Sequence, residues 1–119
     1  MTWSVLVVDD DASFRALASR TLRSWGYAVV GEAGTVAEAM ESVATLQPDA
    51  ALVDIGLPDG NGFMLAREFA ALPSPPRVVL ISSDGDATNE AIAQRMGAAG
   101  FVPKDQLLGV TLRRLIGGG

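Results

Sequence analysis

Short apolar runs alternate along this chain with segments whose apolar positions recur at helical spacing. Trp3 to Val8 is Val-rich and nearly continuous, the pattern of a strand buried on both faces of a parallel sheet, and it stops at Asp9, Asp10 and Asp11. Phe14, Leu17, Ala18, Thr21, Leu22 and Trp25 then form a helical stripe, with Asp11 placed as N-cap and Gly26 as C-terminal stop. Tyr27 to Val30 reads as a second strand. Thr35 and Glu38 stand at capping-box spacing before a stripe of Val36, Ala39, Met40, Val43 and Ala44, and Pro48 ends that helix. Ala50 to Val53 reads as a third strand. The segment Leu57-Pro58-Asp59-Gly60-Asn61-Gly62 is dense in turn residues and precedes a helix from Phe63 to Leu72, which Pro73, Pro75 and Pro76 close. Val78 to Ile81 is a fourth strand, followed by a polar loop from Ser82 to Thr88 and a short, weakly patterned helix ending near Met96. Gly100 to Pro103 is a fifth strand. The last helix is expected from about Gln106, carrying Leu108, Thr111, Leu112 and Leu115.

Five repetitions of strand then helix, with connections too long for hairpins, predict parallel strands joined by right-handed crossovers. The fold class is therefore α/β, a doubly wound five-stranded parallel sheet with five helices in an α/β/α sandwich. At 119 residues, with 49% apolar and 19% charged residues, one core is enough. No linker, low-complexity tract or repeat interrupts the alternation, so residues 1–119 are expected to be a single domain with no output domain in the chain.

Charge and composition then narrow the chemistry. Nine Lys and Arg against fourteen Asp and Glu give a net charge of −5, which disfavours direct nucleic-acid binding. There is no cysteine and no histidine, which removes disulfides, thiolate or histidine metal sites, Ser-His-Asp catalysis and any phosphohistidine of the chain's own. The N-terminus lacks the basic flank and apolar core of a signal peptide, and no apolar run approaches the roughly 20 residues needed to span a bilayer. A cytoplasmic location without membrane contact is the expectation.

In an open parallel sheet the functional crevice lies beyond the carboxyl ends of the strands, where strand order reverses. Those ends carry Asp9 and Asp10, Asp54, Ser82 and Lys104. Taken singly, Asp9 or Asp10 reads equally well as a helix cap, although Asp11 is the better placed; Ser82 reads as a loop hydroxyl and Lys104 as a solvated lysine. Asp54 resists that reading, because no helix starts until about seven residues later. Gathered at one edge, three carboxylates repel one another unless a cation sits among them or some stay protonated, and a hard divalent ion such as Mg²⁺ suits oxygen ligands. A carboxylate is a competent nucleophile toward phosphorus, and the product's added charge calls for a metal, an ammonium and a hydroxyl donor.

These residues resemble the receiver domains of two-component response regulators, the CheY-like superfamily, over essentially the whole chain. The match rests on Val7-Val8-Asp9-Asp10, on Asp54 with Pro58 four and Gly62 eight residues on, on Ser82, and on Phe101 three residues before Lys104. The resemblance implies a flavodoxin-like strand order 2-1-3-4-5 and Asp54 as phosphoacceptor. It implies Mg²⁺, with Mn²⁺ as substitute, on Asp9, Asp10, Asp54 and the Gly56 backbone carbonyl. Ser82, Phe101 and Lys104 become the switch and phosphate-binding residues, although Phe101 alone reads equally well as a core aromatic.

The implied partners are a sensor histidine kinase or phosphotransfer protein and a downstream output protein or output domain. A homodimer through the face of helix four, strand five and helix five is a further arrangement the family allows. Three positions depart from the common pattern. Asp105 follows the lysine where many members have proline, so no cis peptide is expected there and Asp105 is read as the cap of the last helix. Gly56 and Asp84 lie two residues beyond Asp54 and Ser82 and are expected to tune phosphoryl lifetime. The competing readings are a haloacid-dehalogenase-like phosphatase using Asp9, a flavodoxin, for which the loop Asp9-Asp10-Asp11 is hostile to phosphate, and a receiver used only for docking.

Overall fold

The computed structural model describes residues 2–107 and 109–117. The elements run β1 (Ser4–Val8), α1 (Ala12–Ser24), β2 (Ala28–Ala33), α2 (Val36–Leu46), β3 (Ala50–Asp54), α3 (Gly62–Ala70), β4 (Arg77–Ser82), α4 (Glu90–Arg95), β5 (Gly100–Pro103) and α5 (Val110–Ile116). The five strands form one parallel sheet in the order β2-β1-β3-β4-β5, the flavodoxin-like arrangement expected from the sequence.

The continuous apolar character of the strands follows from burial on both faces. Leu6, Val8, Ala51, Val53, Val78 and Leu80 point to one side, where α2, α3 and α4 cover them with Ala39, Val43, Leu65, Phe69 and Ala93. Their neighbours Val5, Val7, Ala50, Leu52, Val79 and Ile81 point to the other, against Ala18 and Leu22 of α1 and Leu112, Leu115 and Ile116 of α5. Period-two alternation thus sorts β1, β3 and β4 into two cores, and their interior positions leave no place for a polar side chain until the strand ends.

The helix signals act as expected at α1 and α2. Asp11 accepts from the amides of Ser13 and Phe14, and Gly26 takes the left-handed backbone (φ 92°) just beyond the helix. Thr35 accepts from the Glu38 amide, while the Glu38 carboxylate reaches back to the Gly34 amide. The expected stripes are slightly too wide, since Leu17 and Ala44 are exposed at their margins.

Four differences from the expected elements have local causes. β2 continues three residues past Val30, through Gly31, Glu32 and Ala33, because pairing with β1 holds an edge strand whose outward positions need not be apolar. The turn-rich segment after β3 contains a two-stranded antiparallel ribbon, Gly56–Leu57 with Gly60–Asn61, before Asn61 caps α3. Lys104–Gln106 forms a 3-10 turn, and α5 starts only at Val110. Asp105 therefore lies within that turn and does not cap the last helix; the cap position is Gly109, whose lack of a side chain leaves the first amides of α5 without a side-chain acceptor. Leu108, expected on the last helix, lies outside the described residues. Among the described residues there is no cis peptide bond.

Candidate functional site

Asp9 and Asp10 follow β1, Asp54 closes β3, Ser82 closes β4 and Lys104 follows β5. Because the strands are parallel, all five residues come to the same edge of the sheet. From β1 the chain moves outward to β2 and then crosses back to β3, so the reversal of strand order falls between β1 and β3, where the three aspartates stand.

Asp9, Asp10 and Asp54 each offer a carboxylate oxygen within 4.8 Å of the others. Asp9 and Asp54 are buried, whereas Asp10 is exposed. The Lys104 ammonium lies 2.6 Å from Asp9 Oδ2 and 3.4 Å from Asp54 Oδ2. Asp9 Oδ1 accepts from the Asp11 amide at 2.9 Å, and Asp54 Oδ1 from the Gly56 amide at 3.3 Å. Asp9 Oδ2, by contrast, is buried with no aligned hydrogen-bond donor, its lysine contact being an ion pair of poor hydrogen-bond geometry.

Burial, reinforced by the charge of Asp9, pushes the Asp54 carboxyl above the ordinary range; Lys104 and the Gly56 amide only partly offset this. Burial works against the charge on Lys104, but the close contact with Asp9 and the charges of Asp54 and Asp9 together hold its pKa above the usual lysine value. Three carboxylates against one ammonium leave the cluster short of positive charge, with a buried oxygen lacking a donor. Oxygen-only donors in that state fit a hard divalent cation such as Mg²⁺.

The scaffold around the cluster is tightly specified on one side and open on the other. A Cβ at Gly62 would lie 2.6 Å from the Asp54 carbonyl oxygen and 2.9 Å from Ile55 Cα, so only glycine lets α3 begin against the end of β3. A Cβ at Gly56 would meet nothing within 4 Å. Ser82 is nearly buried, and its Oγ accepts from the Asp84 amide at 3.1 Å, while the Asp84 carboxylate is exposed and accepts from the Asp86 amide. Those local bonds tie both groups to the backbone of their own loop. Phe101, half-buried, stands opposite Leu80 and packs against the core under α3 and α4.

Three supporting residues carried no functional signal in the sequence. Phe14 sat in the apolar stripe of α1, yet the Lys104 Nζ lies 4.5 Å from its ring centroid. Arg15 donates to the Asp9 carbonyl at 2.5 Å and to Glu32 at 3.2 Å, bracing the acidic loop against the edge strand. Asp59 reaches across from the loop after β3 to accept from the amides of Val36 and Ala37 at 2.7 and 3.1 Å. Together with Thr35 it satisfies three of the first amides of α2.

The Asp59 contact has a pH signature. The Val36 amide, opposed by burial and aided by the Ala37 amide, holds the carboxyl below the ordinary aspartate value of 3.8. A folded-state pKa below the unfolded one means stabilisation that is complete above the ordinary value and lost as pH falls through the folded one. Asp59→Ala is therefore expected to lower Tm modestly at neutral pH, and the gap from the parent to close on acidification. A pH-independent gap in thermal melts would assign the effect to packing instead.

With this geometry in place, comparison with known proteins identifies the class. The family model described as the response regulator receiver domain matches residues 5–114, and the chain belongs to that family. Among curated relatives, the DNA-binding transcriptional activator DevR/DosR of Mycobacterium tuberculosis is 42% identical over 90 residues, covering 74% of this chain and 40% of that one. The chemotaxis protein CheY of Thermotoga maritima is 32% identical over 100 residues, covering 84% of this chain and 83% of that one. The chain thus spans well under half of the first relative and most of the second. The solved signal receiver domain of the response regulator NarL from Mycobacterium tuberculosis superposes with a TM-score of 0.84 at 34% identity, covering 98% of each chain. The domain is a signalling module of two-component systems, and among the described residues no helix is long and apolar enough to cross a membrane.

Proposed function

We propose that Asp54 accepts a phosphoryl group and that its modification switches the domain between conformations. The observation that carries this reading is a buried carboxylate at the strand-order reversal, with two further carboxylates within 4.8 Å and an ammonium 3.4 Å away. In the transfer an Asp54 oxygen attacks phosphorus, an O–P bond forms, and the bond from phosphorus to the donor breaks with its electron pair leaving on the donor. The chain has no histidine, so the donor is a phosphohistidine on a sensor kinase or phosphotransfer protein, or a small acyl phosphate.

Asp9, Asp10, Asp54 and the Gly56 carbonyl would hold Mg²⁺, or Mn²⁺ in its place, which when bound offsets the negative charge on the transferring phosphoryl group. Lys104 then pairs with the phosphoryl oxygens. Ser82 leaves its bond with the Asp84 amide to donate to them, and Phe101 follows by changing rotamer. The switch is a population shift biased by those new contacts. A downstream protein or an output domain elsewhere in the protein reads the result in the cytoplasm, through the face of α4, β5 and α5 or a homodimer formed there.

Gly56 leaves the phosphoryl group open to water, and Asp84 supplies an acceptor for that water. Asp84→Ala is accordingly expected to slow loss of the phosphoryl group about threefold, the scale of one exposed charge; an unchanged decay rate would remove Asp84 from this role. The experiment that tests the whole reading is reduction of the phosphorylated protein with tritiated borohydride, which expels the phosphate and leaves a labelled homoserine at the modified aspartate, followed by peptide mapping. Label on Asp54 supports the receiver mechanism, and label on Asp9 would replace it with the phosphatase-type alternative.

A further inference from the structure

Lys104 is the only lysine in the chain; the other eight basic residues are arginines. Its ammonium is held by Asp9 at 2.6 Å and Asp54 at 3.4 Å, and its third neighbour is the face of Phe14 at 4.5 Å from the ring centroid. We propose that Phe14 is a positioning residue of the phosphoryl-transfer site, its ring face holding the Lys104 ammonium beside Asp54. The inference rests on the reading of Asp54 as phosphoacceptor.

The placement follows from the start of α1. Asp11 accepts from the Phe14 amide and fixes that residue in the first helical turn, where side chains lean toward the helix N-terminus and so over the loop that follows β1. The same ring packs against the core formed by α1, α5 and the sheet, including Val102 just before Lys104. Phe14 is thus anchored on one side and presents π density to a cation on the other.

An aromatic ring suits this position better than another polar group. It attracts a cation through its quadrupole, using none of the ammonium's three N–H donors. The ammonium donates to Asp54 and is ion-paired with Asp9, and because the ring takes up no N–H, a donor is left for a phosphoryl oxygen. A fourth carboxylate would also hold the lysine, but it would add negative charge where a phosphoryl group has to arrive. A hydroxyl or amide would accept the remaining N–H. The ring does neither, so Lys104 can shift from Asp9 toward a phosphorylated Asp54 without breaking a directional bond to α1.

The test uses the single lysine and a ring-fluorination series at position 14, which weakens the quadrupole while nearly preserving size. In lysine-labelled, metal-free protein, the Lys104 ε-methylene signal is expected upfield of its position in Phe14→Leu, as a ring current requires. Phosphorylation by acetyl phosphate with Mg²⁺ is expected to slow about fivefold in Phe14→Leu, the scale of one partly desolvated cation–π contact. The rate should fall stepwise with each added fluorine and return to the parental value in Phe14→Tyr. Coincident ε-methylene signals, or rates independent of fluorination, would overturn the proposal and leave Phe14 a packing residue. A parent that takes up no label would instead refute the reading of Asp54, and the ε-methylene shift would then decide by itself whether the ring holds the lysine.

Discussion

Truncating Phe69 to alanine is expected to remove about 4 kcal/mol of stability, the middle of the range for a fully buried phenylalanine. Phe69 is 0% exposed and is the largest side chain of the core that joins α2, α3 and α4 to one face of the sheet. The same core contains Ala66, Ala93 and Ala98, small side chains held by their helices and loops that cannot extend to fill the space. The lost contacts therefore add to the lost transfer free energy. Against a total stability of roughly 5–15 kcal/mol for a domain of this size, the variant keeps only a thin margin. In a thermal melt the loss corresponds to a fall in Tm of roughly 15 °C. A fall of only a few degrees would mean that α3 and α4 close over the cavity, and would put the helix carrying Gly62 in question as a rigid boundary of the site.

Magnesium is expected to act in the opposite direction and nearly as strongly. Without a cation, buried Asp9 and Asp54 face each other and Asp10 with only Lys104 between them. A ligand that binds the folded state alone stabilises it by about 2.7 kcal/mol at a free concentration a hundred times its Kd. For a chain of this length that is a rise in Tm of roughly 10 °C, reversed by EDTA. Asp9→Asn is expected to lose most of the rise, because it removes a charged ligand and leaves Lys104 to compete for Asp54. Phe14→Leu should keep it, since the ring faces the lysine and has no oxygen to offer a cation. An equal rise in Asp9→Asn would place the cation elsewhere.

The parts of the fold that were legible in the sequence are those in which local chemistry and burial agree. Asp11, Thr35 and Glu38 cap the helices they precede, and the uninterrupted valine-rich runs are strands because both their faces are covered. Errors arise where the two part. Glu32 looks polar and turn-like, yet it continues β2, since its outward side chain is exposed and finds Arg15 and Ser19. Asp105 looks like a cap, but the backbone makes a 3-10 turn there and Gly109 delays α5.

The candidate site shows the same division. Asp9, Asp10, Asp54 and Lys104 were legible because each ends or follows an apolar run, and parallel topology carries such positions to one edge. Phe14, Arg15 and Asp59 were hidden because their contacts cross between elements far apart in sequence: an apolar stripe residue under a lysine, a helix arginine on a strand-end carbonyl, a turn aspartate on another helix. Spacing along the chain holds no trace of those pairings.

The measurement that bears most directly on the central claim is intact mass after incubation with acetyl phosphate and Mg²⁺, for the parent and for Asp54→Asn. The parent is expected to gain the mass of one phosphoryl group, to lose it on standing as an acyl phosphate does, and to gain nothing when EDTA is present, while Asp54→Asn stays at its starting mass. Labelling of Asp54→Asn to the same extent as the parent would contradict the assignment of Asp54 as the phosphoacceptor.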